Sequence, residues 1–416
     1  MNRILFIAPL PPPVHGSAMV SKYIKDSAKV QSVAQCDWVN LSTSRRMDEI
    51  GKGGAMKLLR FMGAYLKTLW LLLTHRYDLC YLAITCHGIG FLKDAPFVWL
   101  CKMFGCRVLI HQHNKGMSNC IDRWPYRWLI PYIYKRARVM LLSWHLYPDI
   151  AKVVKREQVV ICANGIPGGE EKGERRNEKE STPSEASLLV HPVSGGQFSK
   201  QEQRDLAKHS TLNSKQEQRD LTKPLTAHRS PLTVNLLFLS NLIPSKGVYV
   251  LLDACRILKD KGLDFQCNFV GGETKEIDRA RFEAEVQRRG LEGMVRYEGP
   301  KYGEEKEKYW CSSDVFVFPT YYFNECFPLV ILEAMQHGLP VVSTDEGAVP
   351  DMVSDGVNGF VCERKDVSGL AVALERLILD AELRVRMGEE GYRIYKDKFT
   401  LEKFEERFAE CLRRGE

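Results

Sequence analysis

No apolar run in this sequence approaches the roughly 18 residues that a membrane-spanning helix needs, so no segment is expected to cross a bilayer. The opening MNRILFIAPLPPP holds too short an apolar stretch for a secretory signal and reads as a first strand running into a stiff proline loop. Thirteen cysteines occur without one C-x-x-C pair. That pattern argues against a disulfide framework or a zinc ribbon and fits reduced, mostly buried thiols of a cytosolic protein. Acidic charge is scarce early in the chain: residues 1–167 carry 23 Lys/Arg against 9 Asp/Glu, a net +14. Residues 232–416 carry 25 against 33, a net −8. A basic half calls for an anionic partner, and composition alone leaves its nature open. Residues 168–231 are nearly without aromatics and contain SKQEQRDL twice, at Ser199–Leu206 and Ser214–Leu221. Two copies are too few for a solenoid. A segment this polar cannot bury enough surface to offset its ordering entropy, so it reads as a disordered or loosely helical insert in a linker.

What remains of the 416 residues is long enough for two domains, each with its own core. Strands and helices alternate in both halves, which predicts an α/β protein of two doubly wound domains, over 1–167 and 232–416. In the first, Arg3–Ala8 reads as a strand, Pro9–Ser17 as a loop and Ala18–Val30 as a helix, placing Gly16 and Ser17 at a helix start that faces the cleft. Met56–Thr74 is a strongly apolar helix carrying Lys57, Arg60 and Lys67. It is either a membrane-surface helix or a core helix with one basic stripe, and the segment alone favours the core. Arg123–Arg138 interleaves Trp124, Tyr126, Trp128, Tyr132 and Tyr134 with arginine and lysine, a mixture suited to lipid headgroups. Tyr77–Ala83 and Arg107–Gln112 read as strands. The second delivers His111 to Gly116 (HQHNKG) to its carboxyl end, with His111 expected to turn to the opposite side from His113. The H-x-H spacing lacks the further ligands of a metal site.

The most informative stretch is Pro319–Asp345. Asp314–Phe318 reads as a buried strand. Pro328 suits the first position of a helix that Gly338 ends, and Pro340-Val341-Val342 starts the next strand. Glu325 then lies on the loop at the carboxyl end of a strand, with Glu333 about two turns into the helix, where open α/β sheets bind ligands. The amides of Cys326 and Phe327 are placed to hold a phosphate at the helix start. Glu333 is placed to accept ribose hydroxyls, and Glu325 to contact a second polyol. Earlier, Val234–Ser240 reads as a strand and Lys246 onward as a helix.

The E-x7-E arrangement ECFPLVILEA, then GLPVV, then DGVNGFV at Asp355–Val361, resembles the group 1 retaining glycosyltransferases (glycosyltransferase family 4). The resemblance covers both halves apart from the insert and implies the GT-B fold, two Rossmann-like domains facing across a cleft. It implies a glycine loop near donor or acceptor at Gly16, and His113 on the transferred sugar. Ser240-Asn241-Leu242 to Lys246-Gly247 resembles the donor-phosphate loop of that family: Lys246 and Gly247 match, while Ser240 and Asn241 depart from its usual Gly-Arg, so the Arg is absent. The turn at Gly299 would surround the base, and Cys326, Phe327, Pro328 and Leu329 the phosphates. Leu401–Arg414 would cross back onto the first domain.

The activity expected is transfer of a hexosyl group from a nucleoside diphosphate sugar to a hydroxyl acceptor with retention, Lys246 and the helix start neutralising the departing diphosphate. No D-x-D stands at a strand end, so neither metal nor cofactor is expected. The expected partners are the nucleotide sugar, a lipid-linked glycan in cell-surface polysaccharide synthesis and an anionic membrane surface on the cytoplasmic side, with no nucleic acid. The alternatives are a nucleotide-sugar epimerase of the same fold and a non-catalytic glycan- or partner-binding protein.

Overall fold

The computed structural model describes residues 2–12, 16–43, 54–168 and 233–414. The insert lies outside them apart from Gly168. The first half runs β1 (Asn2–Ala8), α1 (Gly16–Asp26), α2 (Ala28–Val33), β2 (Ala34–Asn40), α3 (Ala55–Thr74), β3 (Leu79–Ala83), α4 (Gly88–Met103), β4 (Arg107–His111), α5 (Tyr126–Tyr134), β5 (Arg138–Leu141) and β6 (Val159–Ile161). The second runs β7 (Val234–Leu239), α6 (Val248–Asp260), β8 (Phe265–Val270), α7 (Arg279–Arg288), β9 (Val295–Gly299), α8 (Gly303–Ser312), β10 (Val315–Phe318), α9 (Leu329–Gln336), β11 (Val341–Thr344), α10 (Val349–Met352), β12 (Gly359–Cys362), α11 (Val367–Leu379), α12 (Ala381–Lys398) and α13 (Leu401–Arg414).

Each half builds a six-stranded sheet with parallel pairings, in the orders β2-β1-β3-β4-β5-β6 and β12-β11-β10-β7-β8-β9. Parallel strands need crossover helices, which cover both faces and explain why β3, β10 and β11 are apolar or buried throughout. In β1, Leu5 and Ile7 meet the layer of α3, α4 and α5, while Ile4, Phe6 and Ala8 meet α1, α2 and α13. Helix α13 therefore completes the core of the first domain from the far end of the chain, its Phe408 ring 5.4 Å from Tyr81. Lys29 on α2 reaches Glu402 and Glu406 at 3.1 and 2.8 Å, exposed pairs that add little stability. Tyr395 on α12 donates its hydroxyl to the Ile166 carbonyl at 3.2 Å, fastening the end of the first domain to the second.

Two elements depart from the sequence expectation. The helix expected over Ala18–Val30 is two helices, because Ser27 adopts an extended conformation and its hydroxyl accepts the Val30 N–H, capping α2. Helix α3 is not a core helix with a basic outer stripe. Phe61, Ala64, Tyr65, Thr68, Leu71 and Leu72 face inward, but Leu59, Met62, Leu66, Trp70 and Leu73 are exposed. Both sides of the helix are apolar, so periodicity could not say which one the sheet would take. Of the aromatics in Arg123–Arg138, Tyr134 is buried and Tyr126 half-buried, whereas Trp124, Trp128 and Tyr132 are exposed.

In the second sheet the strand order reverses between β7 and β10. Connections from these two strands leave in opposite directions and open a crevice beyond their carboxyl ends.

Candidate active site

The loops after β7 and β10 cross at that crevice. Gly247 has φ +91, and a Cβ there would stand 2.2 Å from the Pro319 carbonyl oxygen, so glycine alone permits the approach. Tyr321 N–H donates to the Ser245 carbonyl at 2.8 Å. The crossing sets Lys246 Nζ on Glu325 Oε2 as an ion pair, with the ammonium 4.6 Å from the Tyr322 ring centroid and 5.4 Å from Phe318. Glu325 is buried. Desolvating two charges costs several kcal/mol per ion, so such a pair is weak evidence for added stability. Two local expectations shift by one or two residues. Lys246 ends a one-turn 3-10 helix at Pro244–Lys246, and left-handed Gly247 delays α6 to Val248. Pro328 is the extended residue before α9, with ψ 102, and Leu329 opens the helix.

Ahead of that helix, the amides of Cys326 and Phe327 donate to nothing among the described residues. With the Leu329 and Val330 amides that open α9 they form a positive helix end, the Ile331 N–H already donating to the Pro328 carbonyl at 3.0 Å. Burial pushes the Cys326 thiol well above its ordinary range, the Glu325 charge adding to it, so this cysteine is an inert wall. Glu333 accepts Lys306 Nζ on Oε2 at 2.6 Å. At the other end of α9, His337 Nδ1 lies 2.7 Å from the Glu333 carbonyl and Nε2 lies 2.6 Å from Glu307. Glu307, Cys311 and His337 offer one ligand atom each within 4.8 Å of one another, the one group of three among the described residues able to share a metal ion. It does not include the Lys246–Glu325 pair.

The first domain adds the loop after β4. His111 and His113 do not turn to opposite sides: their ring centroids are 4.0 Å apart. Residues two apart on a strand share a face, so the expectation of opposite sides misapplied the alternation. His111 is buried against Tyr81, whose hydroxyl lies 2.7 Å from Nδ1. Burial, then His113, holds the His111 imidazole well below its ordinary range. Two residues past His113, Lys115 pairs with buried Glu346, whose other oxygen meets Arg364 at 3.1 Å. Lys115 Nζ is 5.1 Å from the ring of Phe323, on the Glu325 loop, and its charge is felt at the Cys326 thiol. The loop is held by Asp149, whose carboxylate accepts N–H bonds from Gly116, Met117 and Ser118 at 2.9 to 3.1 Å.

The remaining expected residues do backbone work. Ser240 N–H donates to the Val270 carbonyl at 3.0 Å. Asn241 Oδ1 accepts the Gly272 N–H at 3.2 Å, pinning the turn after β8, so no cation stands there. Gly299, at φ +72, accepts the Gly271 N–H at 3.0 Å. Gly16 is the first residue of α1, beyond the carboxyl end of β1, with open space around it. Lys115, Glu346 and Lys306 were missed from sequence. The rule that ligands gather at carboxyl ends of strands marks Lys115 after β4 and Glu346 after β11; no local signal marks Lys306.

Residues 231–394 match the family model of group 1 glycosyl transferases. The chain carries a group 1 glycosyl transferase domain. The amylovoran biosynthesis glycosyltransferase AmsK of Erwinia amylovora is 32% identical over 148 residues, covering 35% of this chain and 36% of that protein. The capsular polysaccharide biosynthesis glycosyltransferase CapM of Staphylococcus aureus is 27% identical over 165 residues, covering 39% and 41%. The matched region thus spans well under half the length of these curated relatives. Among solved structures, sucrose-phosphate synthase from Thermosynechococcus elongatus aligns with TM-score 0.67 at 17% identity, covering 100% of this chain and 99% of that one. HepE of Anabaena in complex with UDP and glucose aligns with TM-score 0.62 at 16% identity, covering 99% of each. At these identities the likeness is one of fold, and the fold is GT-B.

Proposed function

We propose that this group 1 domain makes the chain a retaining hexosyltransferase, acting from a nucleoside diphosphate sugar onto a hydroxyl of a lipid-linked glycan in cell-surface polysaccharide synthesis. The observation that carries it is the Lys246–Glu325 pair beside the unpartnered amides of Cys326 and Phe327, at the switch point of the second sheet. A diphosphate entering there meets a cation and a helix end preorganised for negative charge, which is where a leaving diphosphate needs help. Glu325 is released toward the sugar as Lys246 turns to phosphate. Glu333 holds the ribose on the oxygen that Lys306 leaves open. Lys115 supplies the second positive charge that Asn241 does not, and His113 lines the sugar from the first domain.

In the transfer, the anomeric carbon–oxygen bond breaks and its electron pair goes to the diphosphate. The acceptor oxygen bonds the same face of that carbon, and its proton passes to the departing phosphate oxygen, giving retention without a protein nucleophile. With Lys246, Lys115 and the amides carrying the charge, no metal is needed. The relatives named for amylovoran and capsular polysaccharide synthesis support the choice of acceptor class. An acceptor carried on lipid puts the enzyme at the inner face of the cytoplasmic membrane. The test is release of sugar from a panel of nucleotide sugars, with and without membrane extract. Extract-dependent transfer to lipid is the expected outcome. Epimerisation without an acceptor, or no turnover of any donor, would overturn it.

A further inference from the structure

Helix α3 has two apolar sides and the sheet uses one. Leu59, Met62, Leu66, Trp70 and Leu73 recur at three- and four-residue intervals opposite the inward stripe, about 21 Å along the axis at 1.5 Å per residue. Leu66, Trp70 and Leu73 are 57%, 58% and 67% exposed. A surface helix ordinarily carries polar groups there. Between Gly54 and Tyr77 the sequence has no acidic residue; of its cations, Arg60 donates to the Thr43 carbonyl at 2.8 Å and Lys67 to the Trp38 carbonyl at 2.9 Å, so neither charge is opposed by a carboxylate on this helix.

The neighbouring helices extend the same chemistry. Helix α4 packs beside α3, and α5 beside α4, all in one layer. Trp99 and Met103 on α4, and Trp124, Trp128 and Tyr132 at α5, are exposed. Arg123, Arg127, Lys135 and Arg136 are exposed among them, the Arg127 guanidinium 5.3 Å from the Trp128 ring. Apolar area with tryptophan, tyrosine and cations beside it is the composition of a surface that lies at the boundary of headgroups and acyl chains. No described helix is long and apolar enough to cross a membrane.

We infer that the outer side of the α3–α4–α5 layer is a docking surface for an anionic bilayer, with the α3 stripe immersed and Arg123, Arg127, Lys135 and Arg136 on headgroups. The inference rests on the membrane placement proposed above and gives it a surface and an orientation. Charge decides between a bilayer and a second copy of the chain: two +14 halves face to face repel each other, whereas anionic lipid neutralises them.

The experiment is co-sedimentation of the full chain with phosphatidylcholine vesicles, with and without phosphatidylglycerol, at ~0.1 M and ~1 M salt, where the Debye length falls from about 10 to about 3 Å. Wild type is expected to bind anionic vesicles, and to keep part of that binding at high salt because apolar burial is not screened. Leu66→Glu/Trp70→Glu should weaken binding at least about tenfold, since each side chain buries enough apolar area to matter. Leu379→Glu, an equally exposed change on α11 (68%), should not alter it. Quenching of tryptophan fluorescence by brominated acyl chains should fall in Trp70→Phe. Binding of Leu66→Glu/Trp70→Glu equal to wild type, or no vesicle binding at all, overturns the inference. So does sedimentation of the wild type as a dimer that the double variant splits, which would make the layer a self-association surface. Donor hydrolysis in solution should be unchanged in the double variant, so loss of the docking surface and loss of the sugar-transfer reading are separate results.

Discussion

The two domains are built on one plan and differ in what they leave in water. Among the described residues, fifteen of the twenty-two exposed large apolar side chains lie before residue 169, including all five exposed tryptophans. The second domain has an acidic sequence, and its distinctive charges are turned inward: Lys246, Glu325 and Glu346 side chains are 14%, 11% and 2% exposed. The difference teaches where each kind of task can sit on this fold. Adhesion to a bilayer scales with apolar area and tolerates approximate geometry, so it suits the outer side of a helical layer. Stabilising a leaving diphosphate needs charges fixed in advance in a water-poor place, so it suits the crossing of two loops over a buried strand.

If this division holds, the largest effect on chemistry comes from the second domain. Lys246→Ala should lower turnover by about 10²–10³-fold, the range for removing one preorganised group from a developing anion. Single-turnover kinetics checks it, and a loss under tenfold would take Lys246 out of the reaction. Glu333→Ala and Glu325→Ala should separate next. Losing Glu333 should weaken the donor and free nucleoside diphosphate alike by about 1.5–3 kcal/mol, the range for hydrogen bonds to a charged group. Losing Glu325 should cut turnover while nearly keeping nucleoside diphosphate binding. Calorimetric titration of the nucleotide into both variants reads the split.

Lys115 is the residue that breaks the comparison, because it belongs to the first domain and reaches into the second. Lys115→Ala should reduce turnover about tenfold, ~1.4 kcal/mol of barrier, at every donor concentration. An effect confined to vesicle binding would return it to the surface chemistry of its own domain. The smallest expected effect is that of chelation. Transfer should survive EDTA, and full loss restored by Mg²⁺ or Mn²⁺ would replace the cation account with a metal one.

The stretch from β10 to β11 was legible in sequence because its signals are local: a four-residue apolar run, a proline before the helix and a glycine after it. The placement of Glu325 at the carboxyl end of a strand followed from those signals alone. Its partner did not, since Lys246 lies 79 positions away and meets it only where two loops cross. Lys115 stood in the HQHNKG run but was masked by the histidines, and its target Glu346 is 231 positions distant. The break at Ser27 is readable as an N-cap serine, a local signal that competes with the helical periodicity of Ala18–Val30. Helix α3 marks a firmer limit. A periodic pattern reports that a side is apolar, and a helix with two apolar sides carries no record of which one folds inward.

The reaction proposed above requires that the crevice between the β7 and β10 loops binds a nucleoside diphosphate sugar. Thermal unfolding across a panel of nucleotide sugars tests it most directly, because a ligand at 100 times its dissociation constant adds about 2.7 kcal/mol to the folded state. At least one nucleotide sugar should raise the melting temperature of the wild type and of Leu66→Glu/Trp70→Glu, and raise that of Glu333→Ala by clearly less at the same concentration. A panel that shifts none of the three, or shifts Glu333→Ala as much as the wild type, would contradict it.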